Sequence, residues 1–195
     1  SINNTSLRGI SNNLNTVDDS LAGGNSNILL RNMNVVVLGK NHKVKDVSFS
    51  TILGESNDVS NNTYHSIIGG SSNEVNKVEY SAVFGKTQDV KDSSGNLISG
   101  ISNTVDKATN STIGGSINVI NTIQETAVFG KDHSVTTTEN SVISGFDHTI
   151  LSDKNSIVSG KTNIVRTSEE VNVSGLSNTV ENAKQSNITG ELNQV

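Results

Sequence analysis

Four histidines, and the carboxylates beside two of them, are the side chains in this sequence best suited to chemistry. Asp132 precedes His133 and Asp147 precedes His148. A carboxylate held against an imidazole is the pairing used in general acid–base catalysis. Neighbours on an extended strand point to opposite faces, so neither pair can cooperate within one chain if the segment is a strand. The chain has no Cys, which removes thiol nucleophiles, Cys-ligated metals and disulfides. Nothing resembles a nucleophile with its base or a G-x-G-x-x-G phosphate cradle. No catalytic residue, no cofactor and no metal site is expected, and the chain is read as a non-enzyme.

The elements that would position any site are set by a repeat. Gly9, Gly24, Gly39, Gly54, Gly70, Gly85, Gly100, Gly115, Gly130, Gly145, Gly160, Gly175 and Gly190 lie fifteen residues apart, with one step of sixteen between Gly54 and Gly70. Two residues before each comes an aliphatic (Ile68, Val83, Ile98, Val128), and five after it another (Val75, Val90, Val105, Val135). Three after it stands Asn, His or Gln in every copy, and four before it usually Ser or Thr. Alternation of period two with β-branched core columns is strand periodicity. The unit S-x-[IV]-x-G-x-x-N-x-[VI] predicts two short strands separated by G-x-x-N, that is, one coil of a β-solenoid that bonds only to its neighbours. About thirteen fifteen-residue rungs at about 4.8 Å each would make a rod on the order of 60 Å long.

Composition alone suggests disorder: 28 Asn, 29 Ser and 17 Gly, with 32 % hydrophobic and 3 % aromatic residues. The repeat reverses that reading, because Gly, Asn and Ser are fixed parts of each rung. The Asn column shares a strand face with the later aliphatics and should point inward, its amides bonding one another and the turn backbones. His42, His133 and His148 stand where other rungs have Asn, which favours a structural duty for them. Fourteen basic against 19 acidic residues, net −5, form no basic stripe, so no nucleic-acid partner is expected. No stretch is long and apolar enough for a membrane span, and the start lacks signal-peptide regions, so this segment should make no membrane contact. Because the chain begins and ends inside the pattern, residues 1–195 are read as one repeat domain cut from a longer protein.

The outward positions of the two strands differ. Those of the second strand are mostly polar. Those of the first include Val36, Leu38, Leu53, Ile67, Phe84, Leu97, Phe129, Val142 and Ile157, an apolar stripe that predicts burial against identical chains. One corner also departs from the pattern. Five residues before the glycine the chain is nearly always polar or Gly, yet three consecutive rungs carry Phe49, His65 and Tyr80, joined by Tyr64 near the inserted residue in SNNTYHS. Exposed aromatic clusters anchor interfaces, so these four are the partner-binding candidates, in a column roughly 10 Å tall.

Stretches such as NSVISGFDHTI, NSIVSGKTNIV, NSTIGGSINVI and YSAVFGKTQDV resemble the YadA-like head repeats of trimeric autotransporter adhesins, across essentially the whole chain. The resemblance implies a left-handed parallel β-roll, a homotrimer, and display as an extracellular head on the outer membrane of Gram-negative bacteria. It also implies adhesion to a host cell-surface receptor or extracellular-matrix protein without chemistry. The first-strand core residue is Val or Ile where YadA has Ala, which leaves transfer of collagen binding unsupported. The alternative is a structural spacer that extends a surface fibre without its own receptor. A left-handed β-helix acyltransferase would instead show a six-residue period, and an ice-binding solenoid would show a flat array of Thr.

Overall fold

The computed structural model describes residues 2–61, 63–189 and 191, with the side chain of residue 168 left aside. The residues fall into two compact units, Ser1–Ile101 and Ser102–Val195. Both are all-β, and in both the strands pair in parallel as a β-solenoid.

In the first unit one sheet is built from Ser6–Ile10, Leu21–Asn25, Val36–Lys40, Thr51–Glu55, Ile67–Ser71, Ala82–Lys86 and Leu97–Ile101. The other holds Asn13–Asp18, Ile28–Met33, Lys43–Lys45 with Val47–Ser48, Asp58–Ser60 with Thr63–Tyr64, Glu74–Glu79 and Asp89–Ser94. The second unit repeats the plan, for example with Ala127–Lys131 and Val142–Phe146 in one sheet and Ser134–Glu139 and Thr149–Lys154 in the other. Register follows the repeat: Ile68 pairs with Val83, Gly70 with Gly85, and Val75 with Val90. Like residues therefore stack on like, so a residue suited to one rung suits every rung.

Two features correct the expectation of short strands flanking G-x-x-N. The repeat glycine lies inside the first strand, as Gly85 does in Ala82–Lys86, and only the two residues after that strand make the turn. The second strand is longer, six residues where complete, as in Glu74–Glu79. It carries a further inward column eight residues after the glycine, filled by Val17, Asn32, Val47, Val78, Ser93, Ala108, Ile123, Thr138 and Asp153, all buried. Inward side chains thus fall at −4, −2, +3, +5 and +8 from the glycine. Every break in strict alternation carries a positive φ. In the rung of Gly85 (φ 126°) these breaks fall at Thr87 (57°), at Asp92 (44°) and at Gly95 (68°). Left-handed residues bend an extended chain without leaving it unbonded. Their amides donate to the rung before, as Thr87 does to Ser71 O (2.9 Å) and Gly95 to Glu79 O (3.0 Å).

The serine and asparagine core columns share a recurring bonding scheme. The serine at −4 donates to a backbone carbonyl of its own rung and accepts an amide from the next: Ser81 Oγ donates to Glu79 O (2.8 Å) and accepts from Asn96 N–H (3.1 Å). Asn27 Nδ2 donates to Gly23 O and to Gly39 O (3.1 Å each), while its Oδ1 accepts from His42 N–H (3.0 Å). The Asn column therefore bonds mainly the backbone of two rungs. Direct amide-to-amide bonds occur too, as from Asn118 Nδ2 to Asn103 Oδ1 (3.0 Å). On the outer surface, charges ladder between adjacent rungs: Arg31–Asp46 (2.6 Å), Lys43–Asp58 (3.0 Å) and Arg166–Glu181 (2.6 Å). Exposed pairs of this kind contribute little to stability and are screened by salt.

Candidate functional site

Three of the four histidines, His42, His133 and His148, behave as asparagine substitutes. His133 Nε2 lies 3.1 Å from Phe129 O, and its Nδ1 is 3.2 Å from the amide of His148. His148 repeats this with Ser144 O (2.9 Å) and the amide of Asn163 (3.1 Å). An amide can only donate, so each Nδ1 is the acceptor and each Nε2 carries the proton, a tautomer assigned from the network. The two rings stack at 4.9 Å with 5° between their planes. Both nitrogens of each ring are engaged with backbone, and His42 sits in the same way against Leu38 O and Asn57 N–H. Asp132 instead lies at a left-handed corner and meets Lys131 at 3.5 Å.

Burial holds His42, His133 and His148 below the ordinary imidazole value of 6.5, against opposing pulls from the carbonyls they face and from Glu55, Asp132 and Asp147. The neutral ring is also the only form whose Nδ1 can accept. Below pH 6.5 the unfolded chain binds these protons before the folded chain does, so stability is full above that value and falls as pH drops toward the depressed folded values. The second unit should therefore lose melting temperature as pH falls below 6.5. The double substitution His133→Asn and His148→Asn should flatten that slope in thermal unfolding followed by circular dichroism.

The four partner-binding candidates come together as expected in place, but not all in one column. Phe49, His65 and Tyr80 form a stack with centroid spacings of 5.0 and 5.2 Å and interplanar angles of 30° and 24°. Tyr64 belongs to the neighbouring outward column and stands edge-on to the stack, 5.4 Å from Phe49, 4.1 Å from His65 and 6.3 Å from Tyr80. Tyr64 pairs in register with Ser48 and Glu79, and Asn62, in the segment of the sixteen-residue step, lies outside the described residues. Tyr80 is 61 % exposed and Phe49 41 %, with His65 exposed and Tyr64 half-buried. All three stacked residues have left-handed backbones (φ 50°, 47° and 49°), a conformation that costs bulky residues more than Asn, Asp or Gly. Equivalent corners hold Asn34, Asn110, Asn140 and Asn155. Three successive aromatics at a strained position are a departure that local structure alone does not call for.

The apolar stripe is present on each unit. Leu38, Leu53, Ile67, Phe84 and Leu97 are exposed on the first, with Val36 half-buried beside them; Phe129, Val142 and Ile157 are exposed on the second. Sequence reasoning missed its extension to the position after the glycine, where Ile10, Ile101 and Phe146 are also exposed. Lys131 and Lys161 lie 5.5 and 5.7 Å from the centre of the Phe146 ring. Bulky residues in this stripe lean over the preceding rung when it carries glycine there. A Cβ on Gly69 would lie 2.9 Å from Phe84 Cδ1, and one on Gly23 would lie 2.9 Å from Leu38 Cδ2. That accounts for the doubled glycines at Gly23 and Gly69.

These features define the chain as a parallel β-solenoid with an apolar face and an aromatic corner. Neither a protein-family model nor a curated protein matches it.

Proposed function

We propose that the chain is the head of a bacterial surface adhesin, three copies of a left-handed roll lying side by side. In this reading it is displayed beyond the outer membrane and binds a host cell-surface receptor or extracellular-matrix protein. The observation that carries the reading is the aromatic corner: four rings gathered along an edge that other rungs fill with polar residues or Gly, three of them held in a backbone conformation that suits other residues better. Rigid aromatic anchors with little side-chain entropy to lose are what protein interfaces concentrate. The apolar face supports self-association, since an apolar strip along a repeat is unfavourable in water for a lone chain. The YadA-like repeat pattern supports the surface location.

The test is binding of the purified chain to cultured epithelial cells and to immobilised matrix proteins. Saturable binding that drops at least tenfold in the double variant Phe49→Ala, Tyr80→Ala is expected. Absence of binding to any cell or matrix surface would favour the spacer role instead.

A further inference from the structure

The aromatic stack is open at one end. Glutamate and serine precede the last two corners, and Glu79 pairs in register with Ser94, so that Tyr80 and Gly95 occupy successive corner positions. One face of Tyr80 lies on His65. The other faces the rung of Gly95, which has no side chain to cover it, and Tyr80 is more exposed than Phe49 or the half-buried Tyr64. The stack advances by one ring per rung, at 5.0 and 5.2 Å. The place over Gly95 therefore continues it by the thickness of one further ring.

The rim of that place is polar. Exposed Glu79 and half-buried Ser94 immediately precede Tyr80 and Gly95, and with Lys77, Asp92 and Ser93 they line a shallow cleft on the strands that lead into this corner. Lys77 is directed to Asp92 at 3.5 Å. A second cleft, lined in part by Tyr64, is bordered by Asp46 and Glu79. An open aromatic face, with a carboxylate and a hydroxyl at its edge, matches a ring with one apolar face and hydroxyls around its rim. The surrounding carboxylates disfavour an anionic ligand.

We propose that this corner is a carbohydrate site, in which a neutral pyranose ring stacks on Tyr80 over Gly95 and its hydroxyls bond Glu79 and Ser94. The proposal rests on the adhesive reading above and names what the corner takes. Gly95 is then a specificity device: it leaves vacant the seat that an asparagine fills in other rungs.

The chain has no Trp and its two tyrosines, Tyr64 and Tyr80, are both in the site, so intrinsic fluorescence reports on this corner alone. The full chain is titrated with methyl glycosides of glucose, galactose, mannose and N-acetylglucosamine, with N-acetyllactosamine and its sialylated form, and with triarginine. A saturable change in tyrosine emission is expected with at least one neutral sugar and a weaker response to the sialylated form. Gly95→Asn, which places at this corner the residue found at Asn34 and Asn140, should keep the circular dichroism spectrum and weaken binding roughly tenfold or more. Tyr80→Ala should do the same, with Tyr64 as reporter.

No emission change with any neutral sugar at tens of millimolar overturns the proposal, and so does sugar binding that Gly95→Asn leaves intact. A response to triarginine alone assigns the corner to a cationic protein segment and also overturns it. Cell binding that persists without sugar binding removes this proposal and leaves the adhesive reading standing. Sugar binding without cell binding does the reverse.

Discussion

Gly70→Ala is expected to cost at least about 4 kcal/mol and to unfold the first unit at ordinary temperatures. A Cβ at Gly70 would lie 1.9 Å from the carbonyl oxygen of Gly85, 2.8 Å from its carbon and 2.9 Å from its nitrogen. These are backbone atoms held in a ladder, and relieving the overlap requires the next rung to move away. The same residue has φ 108°, which adds backbone strain of order 1–3 kcal/mol for a residue with a side chain. The neighbouring substitution is the control. Gly69→Ala introduces a Cβ whose close contacts are carbons of the Phe84 ring, at 2.9 and 3.2 Å, and that ring can swing outward. Its cost should be roughly 1 kcal/mol, near the low end for overpacking. Urea unfolding followed by circular dichroism separates the two. Equal midpoints for Gly69→Ala and Gly70→Ala would contradict the close stacking of the glycine column.

The second large effect concerns the amide column. Asn118 is fully buried. Its Nδ2 donates to Gly114 O (3.2 Å) and Gly130 O (3.3 Å), and its Oδ1 accepts from His133 N–H (3.1 Å). Asn118→Ala removes partners from backbone groups on two rungs, at about 1–3 kcal/mol for each group left unsatisfied. A loss of about 3 kcal/mol is expected. Asn118→His should cost about 1 kcal/mol or less, because His133 and His148 already supply the same acceptor and donor from an imidazole, and Asn163 continues the column above them. Thermal unfolding of both variants tests this directly. A histidine variant as unstable as the alanine one would contradict the equivalence of the two side chains.

The sequence made the two aliphatic columns, the glycine and the inward Asn legible, because each column uses one residue type or its near equivalents. The third core column was hidden: Val17, Asn32, Val78, Ser93, Thr138 and Asp153 share burial but no chemistry. Its position also breaks period two, since Val90 and Ser93 are both inward and three residues apart. The cause is the left-handed residue between them, Asp92. Such corners are filled by Ser, Thr, Asn, Asp, Lys and Arg, which are equally at home on any polar surface. The glycine was misplaced into a turn for a related reason. A repeated glycine before x-x-N suits either a turn or a close approach at one, whereas the strand runs straight through it with φ of 97–137° and uses the missing Cβ for close approach. At the aromatic corner the gathering of Phe49, His65 and Tyr80 was legible as a break in a polar column. The edge-on place of Tyr64 and the vacancy beside Gly95 depend on ring orientation, which a one-dimensional pattern does not carry.

The exposed stripe from Leu38 to Leu97 on the first unit, matched by Phe129, Val142 and Ile157 on the second, leads to the central expectation that this thin-cored chain is stable in company with copies of itself. Sedimentation equilibrium of the purified chain tests it most directly. The account predicts a trimer, converted by Ile67→Lys and Phe84→Lys to a species of lower mass and lower, concentration-dependent melting temperature. A stably folded monomer, with a melting temperature independent of concentration and unaffected by those substitutions, would contradict it.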